Sequence, residues 1–258
     1  MCHSSVRGRT GFSIFTFMYF ASVAFAQAPS AATPSTASWA APDGRPRYIR
    51  AFVVDERLSA LRREPALKSE VRQRLRMGRQ LYILETRAAK KNEPVFFRVA
   101  VTRRTRGWIH QSAVGIPGRR GEDERVVALI AGTRDGVDRI ALCRLFIERF
   151  PGSALKPFAL LKMGEEADLA AASLGGRARR RLEGGAEERL KKRDLYLNDP
   201  GLDRYSRLKI NFDFDEATNR YYYDGRAFRE ILERYPLSKE AGQARLRLER
   251  EGGHRADM

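Results

Sequence analysis

Hydrophobic and polar positions alternate along the stretch 48–116, which contains short runs of β-branched and aromatic residues separated by turn residues. In the run at 95–102, the apolar residues Phe97, Val99 and Val101 alternate with their neighbours in the period of two that is typical of a pleated strand. Several short strands without intervening helices favour a small β-barrel over βαβ units.

The period changes to 3.6 residues after a charged segment rich in Pro and Gly at 116–124. Ile140, Leu145 and their neighbours form the wide apolar stripe of an amphipathic helix. The sequence therefore predicts two parts, a β-barrel over 46–116 and a helical domain over 122–251. We expect each part to have its own core, with no core shared between them.

One phrase occurs twice, as FIERFPGS and again as ILERYPLS, 85 positions apart (235 − 150). Each copy predicts a helix that ends at an aromatic–proline pair, because proline disfavours the helical region for the residue before it. A serine able to cap the next helix follows. The aromatic rings are predicted to pack in the corner between two helices. These residues are Phe150, Pro151 and Ser153 in the first copy and Tyr235, Pro236 and Ser238 in the second.

The N-terminal segment 1–26 predicts a secretory signal peptide. Basic residues precede an apolar run, which ends at Ala24 and Ala26 in an A-x-A pattern. The run is shorter than the ~20 apolar residues that span a bilayer, so we expect cleavage before Gln27 and no membrane span in the mature chain. Residues 27–45 are rich in Ala, Pro, Ser and Thr, which predicts a flexible linker.

The net charge of +17 favours anionic partners. Arg accounts for 40 of the 49 basic residues, with nine Lys (49 − 9 = 40), and these arginines are spread along the whole chain. They are not concentrated in a recognisable motif, so the sequence does not favour a dedicated nucleic-acid role. The alternatives of a functional and a merely compositional charge remain open.

The search for catalytic and metal-binding motifs is negative, and we expect neither an enzyme nor a cofactor or metal site. Cys143 lies among apolar residues and is predicted to be a buried hydrophobe. Asp213 and Asp215 are a weak candidate cation site, which lacks the glycine and the distal Glu of a calcium loop. We expect Asp215 instead to cap a following helix.

The barrel segment carries, in order, SALRREP, RLRMGRQLYIL, FFRV and RGWIHQSAV. With this order and spacing, 48–115 resembles a bacterial Src-homology 3 domain, in which Gly78, Gly107 and Trp108 occupy the family's positions, while Glu64 replaces its usual glycine. Gly107 is predicted to form a tight turn. The resemblance implies binding of cell-wall peptides or protein segments.

Tyr82 and Trp108 are the candidate ligand-binding aromatics of the barrel, because rigid rings give contact area at low entropic cost. The alternative is that both fill the core of this small domain, which we favour for Trp108.

The repeated corner resembles that of the extracytoplasmic tetratricopeptide repeat, whose next helix ends in L-G-E. MGEEAD matches that ending, with Gly164 at a close approach of two helices. The offset of 85 is not a multiple of 34, so the array is irregular. Residues 177–194 are predicted to form a polar helix and 195–208 a loop-rich insertion. Arrays of helix pairs bind peptides or proteins on a concave surface.

Tyr221, Tyr222 and Tyr223 are the candidate ligand-binding residues of the helical domain. We place them on a helix, where successive residues turn by about 100° and cannot all face one core. The simplest interpretation is that two are buried and one lies at the surface.

Together these patterns predict an exported, multi-domain β + α protein, either periplasmic or secreted. Its expected function is non-enzymatic scaffolding, in which it binds peptidoglycan or a protein partner. The alternatives are an accessory subunit of a cell-wall hydrolase and a binder of anionic polymer or nucleic acid.

Overall fold

The structure of the protein, a computed structural model, describes residues 48–87, 94–182, 200–215 and 218–256. The predicted signal peptide at 1–26 and linker at 27–45 lie outside the described residues, as does most of the polar helix predicted over 177–194. Within the described part, β-strands come first and helices follow, so the chain has the mixed β-then-α architecture that its two hydrophobic periods predict.

The N-terminal part forms one antiparallel sheet of seven strands. They are β1 (Ile49–Val53), β2 (Ala60–Arg62), β3 (Val71–Arg74), β4 (Gln80–Arg87), β5 (Phe96–Ala100), β6 (Arg106–His110) and β7 (Val114–Gly115). Their order across the sheet is β3-β2-β6-β5-β4-β1-β7. Short 3-10 turns at Glu56–Leu58 and Gln111–Ala113 follow β1 and β6.

One face of this sheet is apolar because alternate residues of each strand point the same way. Phe97 and Val99 are buried there, with Val101 packed against them, as the period of two predicts. Gly107 does not form the predicted turn but lies in β6. A Cβ atom there would lie 2.8 Å from the carbonyl oxygen of Arg62, so the glycine lets β2 approach β6 closely.

Six helices are described after the sheet. They are α1 (Glu122–Gly132), α2 (Gly136–Arg149), α3 (Lys156–Leu182), α4 (Pro200–Arg207), α5 (Arg226–Arg234) and α6 (Lys239–Ala256). A two-stranded hairpin, β8 (Phe212–Asp215) and β9 (Arg220–Tyr223), lies between α4 and α5.

Two predictions for the helical region are wrong. Helix α3 does not end at MGEEAD but continues to Leu182, because the apolar positions Ala167, Ala171 and Leu174 extend its buried stripe. The segment 195–208, predicted to be loop-rich, contains helix α4. Gly164 nevertheless lies at a close approach of two helices, since a Cβ atom there would be 2.5 Å from Cε1 of Phe228 on α5.

The structure has the same backbone corner at both copies of the repeated phrase. The N–H group of Phe150 donates to Phe146, and that of Tyr235 donates to Ile231. Three residues further on, Ser153 and Ser238 each donate a backbone hydrogen bond to the carbonyl oxygen of the corner aromatic. The helices that meet at these corners are α2 with α3 and α5 with α6.

The side chains of the two corners differ. Phe150 is buried and stacks on Phe146, with ring centroids 4.9 Å apart, whereas Tyr235 is half-buried at the edge of its cluster. The Ser153 hydroxyl caps as predicted, accepting from the Leu155 N–H at 3.2 Å. The Ser238 hydroxyl does not cap, and it is buried without a hydrogen-bond partner in the described part of the chain. Both prolines, Pro151 and Pro236, are exposed.

The sheet and the helices share an apolar cluster, contrary to the expectation of separate cores. We call it the junction cluster, and it contains Val54 from the end of β1 with Met77 packed against it. Arg125 of α1 also donates to the carbonyl oxygens of Ser112 and Val114. The helical members of the junction cluster are Val126, Ile130, Leu142, Cys143, Leu145, Phe146, Phe150 and Ala159.

Among the described residues, none of the helices combines the length and the apolar character that crossing a membrane requires.

Candidate functional site

A concave surface in the helical part brings the tyrosine run together with several arginines. It is a cavity of about 350 Å³ between α3, the strand β9 and α6, which we call the tyrosine–arginine cleft. That size falls at the lower end of the range for ligand-binding pockets. Its lining residues are Asp168, Ala171, Ala172, Gly175, Arg179, Arg220, Tyr221, Tyr222, Tyr223, Arg247 and Arg250.

One face of α3 forms the first wall of the cleft. Asp168, Ala171, Gly175 and Arg179 follow one another at intervals of three or four residues, which places them on one side of a helix. The small residues let the hairpin approach. A Cβ atom on Gly175 would lie 3.4 Å from the backbone nitrogen of Tyr221, so β9 passes directly over this turn of α3.

The tyrosines form the second wall, on a strand and not on the predicted helix. Residues 212–215 and 220–223 pair as β8 and β9, and alternation along β9 buries Tyr221 and Tyr223 on one face. Tyr222 points to the other face and is half-buried. Two tyrosines are thus buried and one is partly open. The cause is the two-residue period of a strand and not the turn of a helix.

The two buried tyrosines have structural contacts. The ring of Tyr221 packs against Phe214, with centroids 4.9 Å apart, in a cluster with Leu174. The hydroxyl of Tyr223 accepts a hydrogen bond of 2.9 Å from the N–H of Ala227. That N–H belongs to the first turn of α5, whose N-cap is Gly225 and has no side chain to offer. Tyr223 therefore supplies a cap. Tyr222, which is half-buried, is the most open of the three tyrosines to a ligand.

The arginines give the cleft its charge. Arg247 is held by two carboxylates of α3, at 3.5 Å from Glu165 and 3.8 Å from Asp168. Arg179, Arg220 and Arg250 are exposed. A guanidinium group is a planar donor that stays charged at all physiological pH values, so the cleft is suited to an anionic ligand.

The predicted barrel aromatics lie far from this cleft in the fold, on the open face of the sheet. Tyr82 of β4 is 38% exposed, and its hydroxyl is 2.7 Å from the Gln80 side-chain nitrogen. Trp108 of β6 is half-buried on the side opposite the apolar core, between Arg98 of β5 and Arg62 of β2. Neither ring belongs to the apolar core of the sheet, so the interpretation that Trp108 fills this core is wrong: alternation along β6 turns Ile109 inward and Trp108 to the other face.

The remaining reactive side chains do not form a site with one another. Cys143 is buried in the junction cluster, and burial raises the pKa of its thiol to about 12. The pKa of His110 is lowered by burial and by the charge of Arg62. Asp213 and Asp215 lie on β8, so Asp215 does not cap a helix. In the described part of the chain, no group of three or more His, Cys, Asp or Glu side chains could hold a metal ion.

The tyrosines of the cleft were predictable from the sequence as candidate residues, but its arginines were not singled out. Two signals were present. Arg220 directly precedes the tyrosines, and Arg247 and Arg250 have the spacing of neighbours on one helix face. In a chain with arginines along its whole length, those signals do not stand out.

Comparison with models of protein families, with curated proteins and with solved structures finds no match to this chain.

Proposed function

We propose that this protein is an exported, non-enzymatic scaffold of the cell envelope that binds an acidic segment of a partner protein in the tyrosine–arginine cleft. In this proposal, the sheet is an Src-homology 3-like barrel and the helices are an irregular tetratricopeptide-like domain. The observation that carries the proposal is the set of exposed arginines around a concave surface of ligand size.

The chemistry of the cleft supports binding over catalysis. Its polar side chains are arginines, tyrosines and one aspartate, Asp168, which is paired with Arg247. Arginine is a permanent hydrogen-bond donor and a poor proton shuttle, because its pKa lies far above neutral pH. The ring of the half-buried Tyr222 adds apolar contact.

An acidic peptide matches the shape and the charge together. The cleft is bounded by a helix, a strand and a second helix, so an extended chain has an open path along it. Carboxylates along such a chain can be spaced to meet Arg179, Arg220 and Arg250. The charge of Arg247 is partly neutralised by Glu165 and Asp168 of α3. We therefore expect Arg247 to position the wall of the cleft more than to bind the acidic peptide.

The test is a titration of the protein with fluorescein-labelled hexaglutamate, with hexalysine as the opposite-charge probe. Hexaglutamate should bind and hexalysine should not. Arg220→Gln combined with Arg250→Gln should weaken hexaglutamate binding by about 5- to 30-fold, because exposed ion pairs contribute up to about 1 kcal/mol each.

The matched control is Arg229→Gln with Arg245→Gln. Both residues are exposed, Arg229 on α5 and Arg245 on α6, and neither lines the cleft. Their substitution removes the same amount of charge as the substitutions in the cleft. Equal binding of the two peptides, or an equal loss in the cleft and control variants, would refute the cleft as the site.

A further inference from the structure

The open face of the N-terminal sheet combines arginines with exposed apolar side chains. Residues paired directly across antiparallel strands lie on the same face. One such row runs Val71–Arg62–Trp108–Arg98–Glu85 across β3, β2, β6, β5 and β4. Neighbouring strands lie about 4.8 Å apart, so this row of five strands, with four intervals between them, is roughly 19 Å long.

A second row lies beside the first on the same face. It runs Arg50–Tyr82–Ala100–Arg106 across β1, β4, β5 and β6. The two rows hold four arginines and one acid, Glu85, which gives this patch a charge of +3 (4 − 1). Arg98 lies 3.4 Å from Glu85, so the uncompensated charges are those of Arg50, Arg62 and Arg106.

Apolar side chains are interleaved with these charges. Val71 is 41% exposed, and Leu67 in the loop between β2 and β3 is 55% exposed. Arg62 donates a hydrogen bond of 2.8 Å to the carbonyl oxygen of Ser69, which ties this loop to the edge of the face. The face therefore presents aliphatic groups, Tyr82, the partly open Trp108 and guanidinium groups at one surface.

We propose that this sheet face docks on the surface of a bilayer that contains anionic phospholipids. Guanidinium groups bind lipid phosphates through paired donors. Tyrosine and tryptophan favour the membrane–water interface, because each side chain has an apolar ring and a polar group that can be hydrated. Leu67 and Val71 reach the acyl boundary when the arginines contact the headgroups. This docking is peripheral, and it does not depend on the proposed function of the cleft.

The exposed aliphatic residues distinguish a bilayer from a nucleic acid. A single strand is bound by aromatic stacking along a basic groove, and aliphatic groups gain little there. The exposed aliphatic residues here are Val71 of β3 and Leu67 of the adjoining loop. A bilayer offers an apolar medium for that leucine and a phosphate layer for the arginines, so it satisfies both parts of the surface.

The experiment expresses the full chain, purifies the exported form that begins at Gln27, and measures co-sedimentation with vesicles. Vesicles of phosphatidylcholine with about one third phosphatidylglycerol should bind the protein. Vesicles of pure phosphatidylcholine should not. In a Trp39→Phe background, Trp108 is the remaining tryptophan, and its emission should shift to shorter wavelength on binding.

Two variants test the two components of the face. Arg50→Gln with Arg106→Gln should weaken binding by about 25-fold, since each basic residue near an anionic surface contributes about a factor of five. Leu67→Ser with Val71→Ser should weaken it by about tenfold. The control pair Arg229→Gln with Arg245→Gln, and the cleft pair Arg220→Gln with Arg250→Gln, should bind vesicles like the unchanged protein.

Several outcomes would overturn the proposal. They are equal binding to neutral and anionic vesicles, an equal loss in the face and control variants, and an unshifted Trp108 spectrum in the bound state. Binding of oligo-dT that depends on Arg50 and Arg106, without binding to anionic vesicles, would assign the face to nucleic acid instead. Failure of hexaglutamate binding would leave the vesicle result intact, because the two surfaces share no residues.

Discussion

Gly164 is the position at which one methyl group should decide the stability of the helical part. A Cβ atom there would lie 2.5 Å from Cε1 and 2.6 Å from Cζ of Phe228. Phe228 is fully buried, and its ring makes an edge contact with Tyr223 at 6.0 Å. The ring therefore cannot move without disturbing the tyrosine that caps α5.

Gly164→Ala has two opposing effects on the free energy of unfolding. Alanine in place of glycine within a helix stabilises by about 1 kcal/mol. Overpacking a filled core destabilises by roughly 1–3 kcal/mol. Because the ring carbons lie well inside contact distance and are themselves buried, we expect a net loss of up to about 2 kcal/mol. In a chain of this size, that lowers the melting temperature by several degrees.

Gly242→Ala is the matched control for Gly164→Ala. Gly242 lies within α6, is exposed, and would place its Cβ with no atom within 4 Å. Here only the helix propensity acts, so thermal unfolding followed by circular dichroism should show a gain in stability. Phe228→Leu should partly restore Gly164→Ala, which a double-mutant cycle measures as a coupling between the two sites. If Gly164→Ala gains as much stability as Gly242→Ala, helices α3 and α5 do not approach each other as described.

Further predictions concern the corners and the buried thiol. Phe150→Ala should lower the free energy of unfolding by about 3–5 kcal/mol. Tyr235→Ala should lower it by roughly 1–3 kcal/mol, because the Tyr235 ring is only half-buried. Equal losses for the two variants in denaturant titrations would contradict this prediction. The Phe150→Ala loss should appear in sheet and helix signals together, since Val54 shares its cluster. Ser153→Ala should cost about 1 kcal/mol and Ser238→Ala nothing measurable, because only the first hydroxyl caps a backbone N–H. In a Cys2→Ser background, Cys143, with a thiol pKa of about 12, should resist a thiol reagent at pH 8 until denaturant is added, and rapid labelling of the folded protein would refute its burial.

The parts of the fold that sequence predicted are those with a clear local period. The alternation at Phe97 and Val99 predicted β5, and the stripe through Ile140 and Leu145 predicted α2. The corner at Phe150 was predictable because proline restricts the residue before it, whatever the surrounding tertiary structure.

The tyrosine run shows where local pattern is insufficient. Three identical residues carry no period, so the sequence could not distinguish helix from strand at Tyr221, Tyr222 and Tyr223. The strand is selected by non-local contacts, namely pairing with β8 and the close packing of β9 over Gly175. The sequence could therefore identify Tyr222 as a candidate but not the geometry around it. Arg220 is its neighbour on β9, whereas Arg179 and Arg250 come from helices distant in sequence.

The basic charge of the chain has no single role. Some arginines connect parts of the fold. Arg125 of α1 donates a hydrogen bond to the carbonyl oxygen of Val114 at the end of the sheet. Arg139 donates to the carbonyl oxygen of Thr133 and forms an ion pair with Glu166. The Arg149 guanidinium lies 4.6 Å from the ring centre of Phe52. These contacts use the length and the five donors of the side chain, and they would form at any net charge of the molecule.

Other arginines are exposed and are grouped on two surfaces. Arg220 and Arg250 lie at the cleft, and Arg50 and Arg106 lie on the sheet face. A compositional excess alone would leave exposed arginines without regard to their neighbours. Here they adjoin Tyr222 in one case and Tyr82 in the other, so each surface pairs charge with an aromatic side chain. That pairing is why the two surfaces, rather than the net charge, are the features to test by substitution.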